Sequence, residues 1–385
     1  MKILITGANG FVGKNLSVYL SEKPEIEVVS FTRDNELSEL PSLVRAVDGI
    51  IHLAGVNRPE HESEFKVGNA DLTEALASAV TEVAKQEKRN IPLVYSSSIQ
   101  AERDNAYGQS KKAAEQQLLA LHEDTGNSVY IYRLANVFGK WCKPDYNSMV
   151  ATFCHRIVRD IPIEIHDDNA QVKLVYVDDV VEQMYTCLVN AVAAVKAQAK
   201  PMASGFLNIE PVYEQTVGNI AKQLYAFKES RSTLVSERVG TGFVRKLYST
   251  YVSYFPTETF TYTVPKYGDE RGVFVEMLKT PDAGQFSYFT AHPGITRGGH
   301  YHHTKTEKFL VIKGKASFKF RHMVTGEFYE LFTDGERPEI VETVPGWSHD
   351  ITNIGNEEMV VMLWANEIFD REKPDTYACP VVKPV

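Results

Sequence analysis

Through the first two-thirds of the chain, short β-rich apolar runs alternate with stretches in which apolar residues recur at helical intervals. Runs 2–6, 27–31, 49–54, 93–97 and 129–133 predict strands, and 11–21, 71–87 and 111–124 predict helices. Such alternation marks a parallel sheet flanked by helices, the α/β doubly wound class. From about Tyr262 the pattern turns into many short strands broken by Gly, Pro, Asn and Asp, which predicts an all-β module. The stretch from Lys228 to Thr261 mixes Ser, Arg and Tyr and reads as a crossover segment whose structure the pattern leaves open. Two domains follow, 1–245 and 246–385, as the length of 385 residues favours.

Composition changes this picture little, but it removes some functions. A formal charge of -9 without a dense Lys/Arg cluster argues against a nucleic-acid partner. Cys142, Cys154, Cys187 and Cys379 form no C-x-x-C pair and suit reduced thiols. The start of the chain lacks the features of a secretory leader, and no apolar run reaches the length of a membrane span. The expectation is a cytoplasmic protein without membrane insertion.

The first strand runs into Gly7-Ala8-Asn9-Gly10-Phe11-Val12-Gly13, where a helix begins. The first glycine permits a tight turn, the second lets backbone N–H groups approach a pyrophosphate, and the third allows close packing. After the second strand come Thr32-Arg33 and then Asp34; a guanidinium there favours a 2'-phosphate, hence NADP(H) over NAD. Leu53-Ala54-Gly55 would put small residues against the adenine side of the cofactor. Tyr107 and Lys111 share one helix face downstream of Ser96-Ser97-Ser98. The ammonium is expected to lower the phenol pKa and hold the nicotinamide ribose, so that Tyr107 protonates a carbonyl oxygen as hydride arrives at carbon.

On these motifs the first two-thirds resembles the extended short-chain dehydrogenase/reductase family, which includes UDP-galactose 4-epimerase and dTDP-sugar dehydratases. The resemblance implies Ser98 as the active serine, Tyr107 as acid/base, Lys111 as its partner and Asn69 in a proton relay. Arg133-Leu134-Ala135-Asn136-Val137-Phe138-Gly139 looks like the family's strand end beside the nicotinamide, and Tyr176-Val177-Asp178-Asp179-Val180 like its later V-D-D-V element. Only eight residues separate Ser98 from Tyr107, and Ile99-Gln100 stand where a dehydratase has Asp-Glu, which argues against dehydration.

Near the other end, strand alternation turns His300 and His302 to one face, Glu307 opens the next apolar segment, and His349 follows Pro345-Gly346. Three imidazoles and a carboxylate suit a first-row divalent metal with an open position, zinc above all. The spacing is similar to the two motifs of the cupin superfamily, with Pro345-Gly346 one residue shorter, and predicts a jelly-roll. Arg297-Gly298-x-His300 also resembles the dTDP-sugar 3,5-epimerases, which use a histidine base and no metal. The two readings compete for His300, because a coordinated imidazole is not a free base; Glu307 and His349 complete a ligand set and favour the metal. In that reading His303, Lys308 or a tyrosine moves the proton.

A 4-keto sugar nucleotide joins the halves, since the ketone acidifies the C3 proton and is itself reducible. Over nearly the whole chain the ordered pair resembles a family of bifunctional capsular-polysaccharide enzymes, supported by segments 138–147, 247–251 and 374–377. That resemblance implies C3 epimerisation of a UDP-2-acetamido-2,6-dideoxy-hexos-4-ulose and NADPH reduction at C4. The product would be UDP-2-acetamido-2,6-dideoxy-L-talose, on the route to UDP-N-acetyl-L-fucosamine. It further implies Arg133, Lys143, Asn147 and Lys308 near the sugar nucleotide, and a homodimer. Two other readings remain: a reductase with a structural β-module, and an NADP(H)-sensing regulator, against which intact Ser98, Tyr107 and Lys111 weigh.

Overall fold

The computed structural model describes residues 1–265, 267–269, 272–274, 278, 284–367 and 372–382. Chain contacts divide it into two compact units, one of residues 1–148 and 172–214, the other of 149–171 and 215–385.

Unit 1 holds a parallel six-stranded sheet. Its strands are β1 (Lys2–Thr6), β2 (Glu27–Phe31), β3 (Gly49–His52), β4 (Leu93–Ser98), β5 (Val129–Leu134) and, after the short pair β6 (Asn136–Phe138) and β7 (Gln171–Tyr176), β8 (Gly205–Leu207). The order β2-β1-β3-β4-β5-β8 places β2 on one side of β1 and β3 on the other. The chain therefore reverses direction across the sheet at β1, where a crevice opens beyond the carboxyl ends of β1 and β3. The central strands read as continuous apolar runs because both faces are covered. Leu76, Val80 and Val83 of helix Leu72–Glu87 and Ala114, Leu118 and Leu121 of helix Ala106–Thr125 bury one face. On the other, Gly49 lies so close to Leu188 and Val192 of helix Val177–Lys196 that a Cβ would sit 2.8 Å from the Leu188 side chain.

Unit 2 holds two antiparallel five-stranded sheets, matching the expected all-β module. One runs Thr261–Thr263, Glu339–Glu342, Glu307–Lys313, Met359–Ala365, Gln285–Ala291 in spatial order; the other runs Phe328–Asp334, Lys315–His322, Trp347–Asn353, Thr296–Tyr301, Tyr377–Ala378. The crossover stretch 228–261 holds the end of helix Val217–Thr233 and the whole of helix Gly242–Val252, both in this unit. A cut at 245/246 follows chain order, whereas both helices reach the same sheet residue: the Tyr248 hydroxyl donates to Glu342 at 3.4 Å, and Arg231 pairs with Glu342 at 3.3 Å. Among the described residues no helix is long and apolar enough to cross a membrane.

Candidate active sites

At the carboxyl end of β1, Gly7 adopts φ +73°, and a Cβ there would lie 2.7 Å from the backbone nitrogen of Ala54. Only glycine meets both conditions, so the turn after β1 sits directly on the segment after β3. Gly13 is forced by contact instead, because a Cβ would stand 2.2 Å from the Gly7 carbonyl oxygen. Gly10 precedes helix Phe11–Ser21 without a side-chain cap. The first helical N–H groups, of Phe11, Val12 and Gly13, lack intrahelical partners at such a terminus and face outward as an anion site. Leu53 and Ala54 are half-buried beside this turn, and Gly55 leads to Asn69 and the Lys111 ammonium, which a Cβ would meet at 2.7 and 3.7 Å. Backbone fit of this kind suits a dinucleotide. Arg33 is exposed just past β2, and the hydroxyl of Thr32 donates to Asp34 at 3.2 Å.

Ser98 ends β4, and Tyr107 lies in the first turn of helix Ala106–Thr125, where the Asn105 carboxamide caps the Gly108 N–H at 2.8 Å. The Ser98 hydroxyl oxygen accepts from the Gln100 N–H at 3.1 Å and lies near enough to the phenol to act on its pKa. The electrostatics differ from expectation. Burial raises the Tyr107 pKa, with only the nearby Ser98 opposing it, and desolvation pushes Lys111 down to about 7. Rather than touching the phenol, the Lys111 ammonium donates to the Ser96 carbonyl at 2.8 Å. Asn69 lies in a π-helical turn, a backbone irregularity common at functional sites. Its carboxamide bonds both backbone groups of Val56 at 2.9 Å and donates to the Ser110 hydroxyl at 3.0 Å, tying the floor of the crevice to the Tyr107 helix.

The residues assigned to the sugar nucleotide behave differently from one another. Arg133 is committed within the protein: its guanidinium forks onto the buried Glu115 at 3.0 and 2.8 Å and reaches Glu102 at 2.6 Å. Glu115 also accepts from Ser97 at 2.5 Å, and its place one turn after Lys111 on the same helix was a signal the sequence reading did not use. Asn136 donates to the Lys173 carbonyl at 3.1 Å, while Lys143, over the Tyr146 ring at 5.0 Å, and Asn147 are exposed. The Phe138-Gly139-Lys140 and V-D-D-V segments meet through a Lys140–Asp178 ion pair of 2.7 Å.

In unit 2, one ligand atom from each of His300, His302, Glu307 and His349 lies within 4.8 Å of the others. His302 Nδ1 lies 2.6 Å from the Asp375 carbonyl and His349 Nδ1 lies 3.4 Å from the Trp347 carbonyl. A carbonyl only accepts, so both Nδ1 atoms carry hydrogen and both Nε2 atoms turn to the cluster. There they approach Glu307 Oε2, at 3.1 Å from His302 and 3.5 Å from His349. Burial alone would raise the Glu307 pKa, but His302, His349 and Lys305 hold it well below the usual carboxylate range. Burial and the two neighbouring imidazoles push His300 down to about 3, keeping its nitrogen available as a donor to a cation. Three imidazoles and one carboxylate converging on a common point fit a divalent metal.

Beside the cluster opens a cavity of about 290 Å³, lined by Tyr288, Phe289, Arg297, Phe309, Asp350 and Leu363 among others. Lys308 is not at this site. Adjacent residues of a strand face opposite ways, and Glu307 takes the inner face. Lys308 is buried on the outer face in an ion pair with Glu342, with Tyr262 at 3.2 Å. His303 does not line the cavity either; its ring packs on Tyr377 at 5.1 Å. Lys305, which the sequence reading passed over, stands 3.1 Å from Glu307 Oε1.

Comparison with known proteins agrees with both halves. Residues 3–199 match the NAD dependent epimerase/dehydratase family, and residues 267–377 match the polysaccharide biosynthesis C-terminal domain. The chain is 60% identical, over 99% of both lengths, to a UDP-2-acetamido-2,6-beta-L-arabino-hexul-4-ose reductase of Pseudomonas aeruginosa. Its structure resembles that of the capsular polysaccharide assembling protein CapF from Staphylococcus aureus, with 42% identity, TM-score 0.64, and 99% of this chain and 100% of that one covered. A UDP-glucuronic acid 4-epimerase from Bacillus cereus in complex with NAD shares the fold over 59% of this chain and 83% of its own, at 18% identity and TM-score 0.51. The chain belongs to the NAD dependent epimerase/dehydratase family, a family of nicotinamide-cofactor proteins, and along its full length to the branch that includes the CapF proteins.

Proposed function

We propose that the chain carries out two consecutive steps on one UDP-sugar. Unit 2 epimerises C3 of a UDP-2-acetamido-2,6-dideoxy-hexos-4-ulose, and unit 1 then reduces C4 with NADPH to give UDP-2-acetamido-2,6-dideoxy-L-talose. The carrying observation is that one chain, 60% identical end to end to a 4-ketose reductase, holds both Ser98 and Tyr107, at the end of β4 and the start of helix Ala106–Thr125, and a four-residue ligand cluster beside a cavity. Chemistry fixes the order. The C3 proton is acidic only while C4 is a ketone, so inversion must precede reduction.

In unit 1, Gly7, Gly10 and Gly13 admit the pyrophosphate, and Arg33 favours the 2'-phosphate of NADPH over NADH. A nicotinamide bound there supplies the hydride for the C4 carbon. Tyr107 gives its phenolic proton to O4 while Ser98 donates to the same oxygen, turning the carbonyl into a secondary alcohol. Lys111, fixed on the Ser96 carbonyl, is placed to hold the ribose. In unit 2, a zinc ion held by His300, His302, Glu307 and His349 would polarise the substrate carbonyl. With Lys308 and His303 turned away, a tyrosine of the cavity, Tyr288, takes the proton from C3 on one face of the ring, and a proton from solvent returns on the other, without change of oxidation state. The enzyme is proposed to be a homodimer and to work in the cytoplasm.

A reductase with a purely structural barrel is the second reading, favoured by the relative's name, which specifies reduction alone. Deuteride transfer separates the cases. With 4-deuterated NADPH, the 4-keto substrate should gain label at C4 and the product should be inverted at C3. Label at C4 with C3 unchanged selects the structural barrel; no label at C4 removes the reductase.

A further inference from the structure

The last described stretch of the chain lies against the ligand cluster, and its contacts are concentrated in two residues. The Asp375 carboxylate accepts four hydrogen bonds from one short loop: the backbone N–H groups of His303, Thr304 and Lys305 at 2.8, 2.6 and 2.7 Å, and the Thr304 hydroxyl at 2.9 Å. The carbonyl of the same residue takes the Nδ1–H of His302 at 2.6 Å. Next to it, the Thr376 hydroxyl accepts from the Lys305 ammonium at 3.1 Å, and that ammonium stands 3.1 Å from Glu307 Oε1. Tyr377 then pairs with Tyr301 as a strand neighbour, with the two rings stacked 5.5 Å apart.

Two of the four ligands are thus oriented from outside the barrel's ligand-bearing strands. A carbonyl at Nδ1 fixes a hydrogen there and sets the ring so that Nε2 of His302 faces Glu307 Oε2 at 3.1 Å. A cation at Oε1 occupies one carboxylate oxygen of Glu307 and leaves Oε2 turned to the histidines. The loop 303–305 lies between strands Thr296–Tyr301 and Glu307–Lys313, and its carbonyls at His303 and Thr304 accept from the Ser249 hydroxyl and the Asn366 carboxamide. The Asp375 carboxylate takes the three N–H groups.

We propose that segment 374–377 is a clasp that positions His302 and Glu307, with Asp375 and Thr376 as positioning residues. The inference rests on the reading of the cluster as a metal site and deepens it. Partners that orient metal ligands typically matter by about 10–100-fold in affinity.

The test uses the full-length protein. Zinc affinity is measured by competition with a chromophoric chelator, the cobalt-loaded protein is examined by visible absorption, and the His302 tautomer is read by 15N NMR. Asp375→Ala should lose about 10–100-fold in zinc affinity, change the cobalt spectrum and mix the His302 tautomers. Asp375→Asn, which keeps an acceptor oxygen, should recover part of each. Nicotinamide binding, which belongs to unit 1, should be unchanged in both. Should Asp375→Ala fail to fold, Thr376→Val, which removes only the hydroxyl on Lys305, should still weaken zinc and alter the cobalt spectrum. Wild-type affinity, spectrum and tautomer in Asp375→Ala, or in Thr376→Val where that is the variant available, would overturn the clasp. A wild-type chain that takes up neither zinc nor cobalt defeats the metal reading instead; the clasp then stands only if Asp375→Ala, or Asp375→Asn in its place, still shifts the His302 tautomer.

Discussion

The two candidate sites are made of different material. In unit 1 the ligand-facing parts are mostly backbone, a turn so tight that Gly7 and Gly13 would collide with Ala54 and with Gly7 itself if either carried a Cβ. In unit 2 they are side chains, four of them brought within 4.8 Å of one another and held by partners outside the cluster. A backbone site tolerates many ligands that present a phosphate, so it identifies a superfamily. A side-chain cluster commits to one chemistry, and its failure modes are local.

The comparison can be broken most severely at Tyr107. Tyr107→Phe leaves the backbone turn intact and removes the proton donor, so NADPH-dependent reduction should fall by about 10²–10⁴-fold while NADPH binding persists. Equal loss of binding would mean that the phenol holds the cofactor rather than the reacting oxygen.

In the barrel the largest structural effect is expected on the other face of the Glu307 strand. Lys308 and Glu342 form a fully buried pair, and Lys308→Met should destabilise unit 2 by about 3–5 kcal/mol, read by denaturant unfolding. The double variant Lys308→Met, Glu342→Leu should recover part of that loss. Lys308 is raised chiefly by Glu342 against burial, and Glu342 is lowered by Lys308 and Arg231 against burial. The lysine's contribution is full below its unfolded pKa of about 10.4 and is lost as pH rises through the raised folded value. The glutamate's is full above about 4.3 and is lost as pH falls through the lowered one. Stability from this pair should therefore be flat between those limits, and a slope near neutrality would contradict the assignment.

Smaller effects separate the backbone site further. In Gly13→Ala the new methyl meets the Gly7 carbonyl, which should cost about 1–3 kcal/mol and weaken nicotinamide binding without touching metal uptake. Arg33→Ala should lower the preference for NADPH over NADH by about tenfold in kcat/KM, with unchanged stability because the side chain is exposed.

Much of this was readable from the sequence where one physical rule acts on neighbours in the chain. Strand alternation and the glycine spacing located the turn, and the His300, His302, Glu307 and His349 spacing gave a cluster that converges in space. The same alternation should have kept Lys308 away from Glu307's site, since adjacent strand residues cannot share a face. Burial was not readable: Tyr107 and Lys111 share a helix face, yet desolvation raises one pKa and lowers the other. Nor was the bond from Asp375 to a loop some seventy residues earlier, which no periodicity announces. The helices Val217–Thr233 and Gly242–Val252 went unseen because their apolar faces are interrupted by Arg231 and Tyr248, polar groups whose partners lie on the barrel.

The central claim is that inversion and reduction use separate sites. It is tested most directly by incubating the Tyr107→Phe variant with the UDP-4-keto-6-deoxy sugar in D2O without nicotinamide. Deuterium should enter at C3 at the wild-type rate, and His300→Ala should abolish it. No exchange at C3 in either the wild type or Tyr107→Phe would contradict the account.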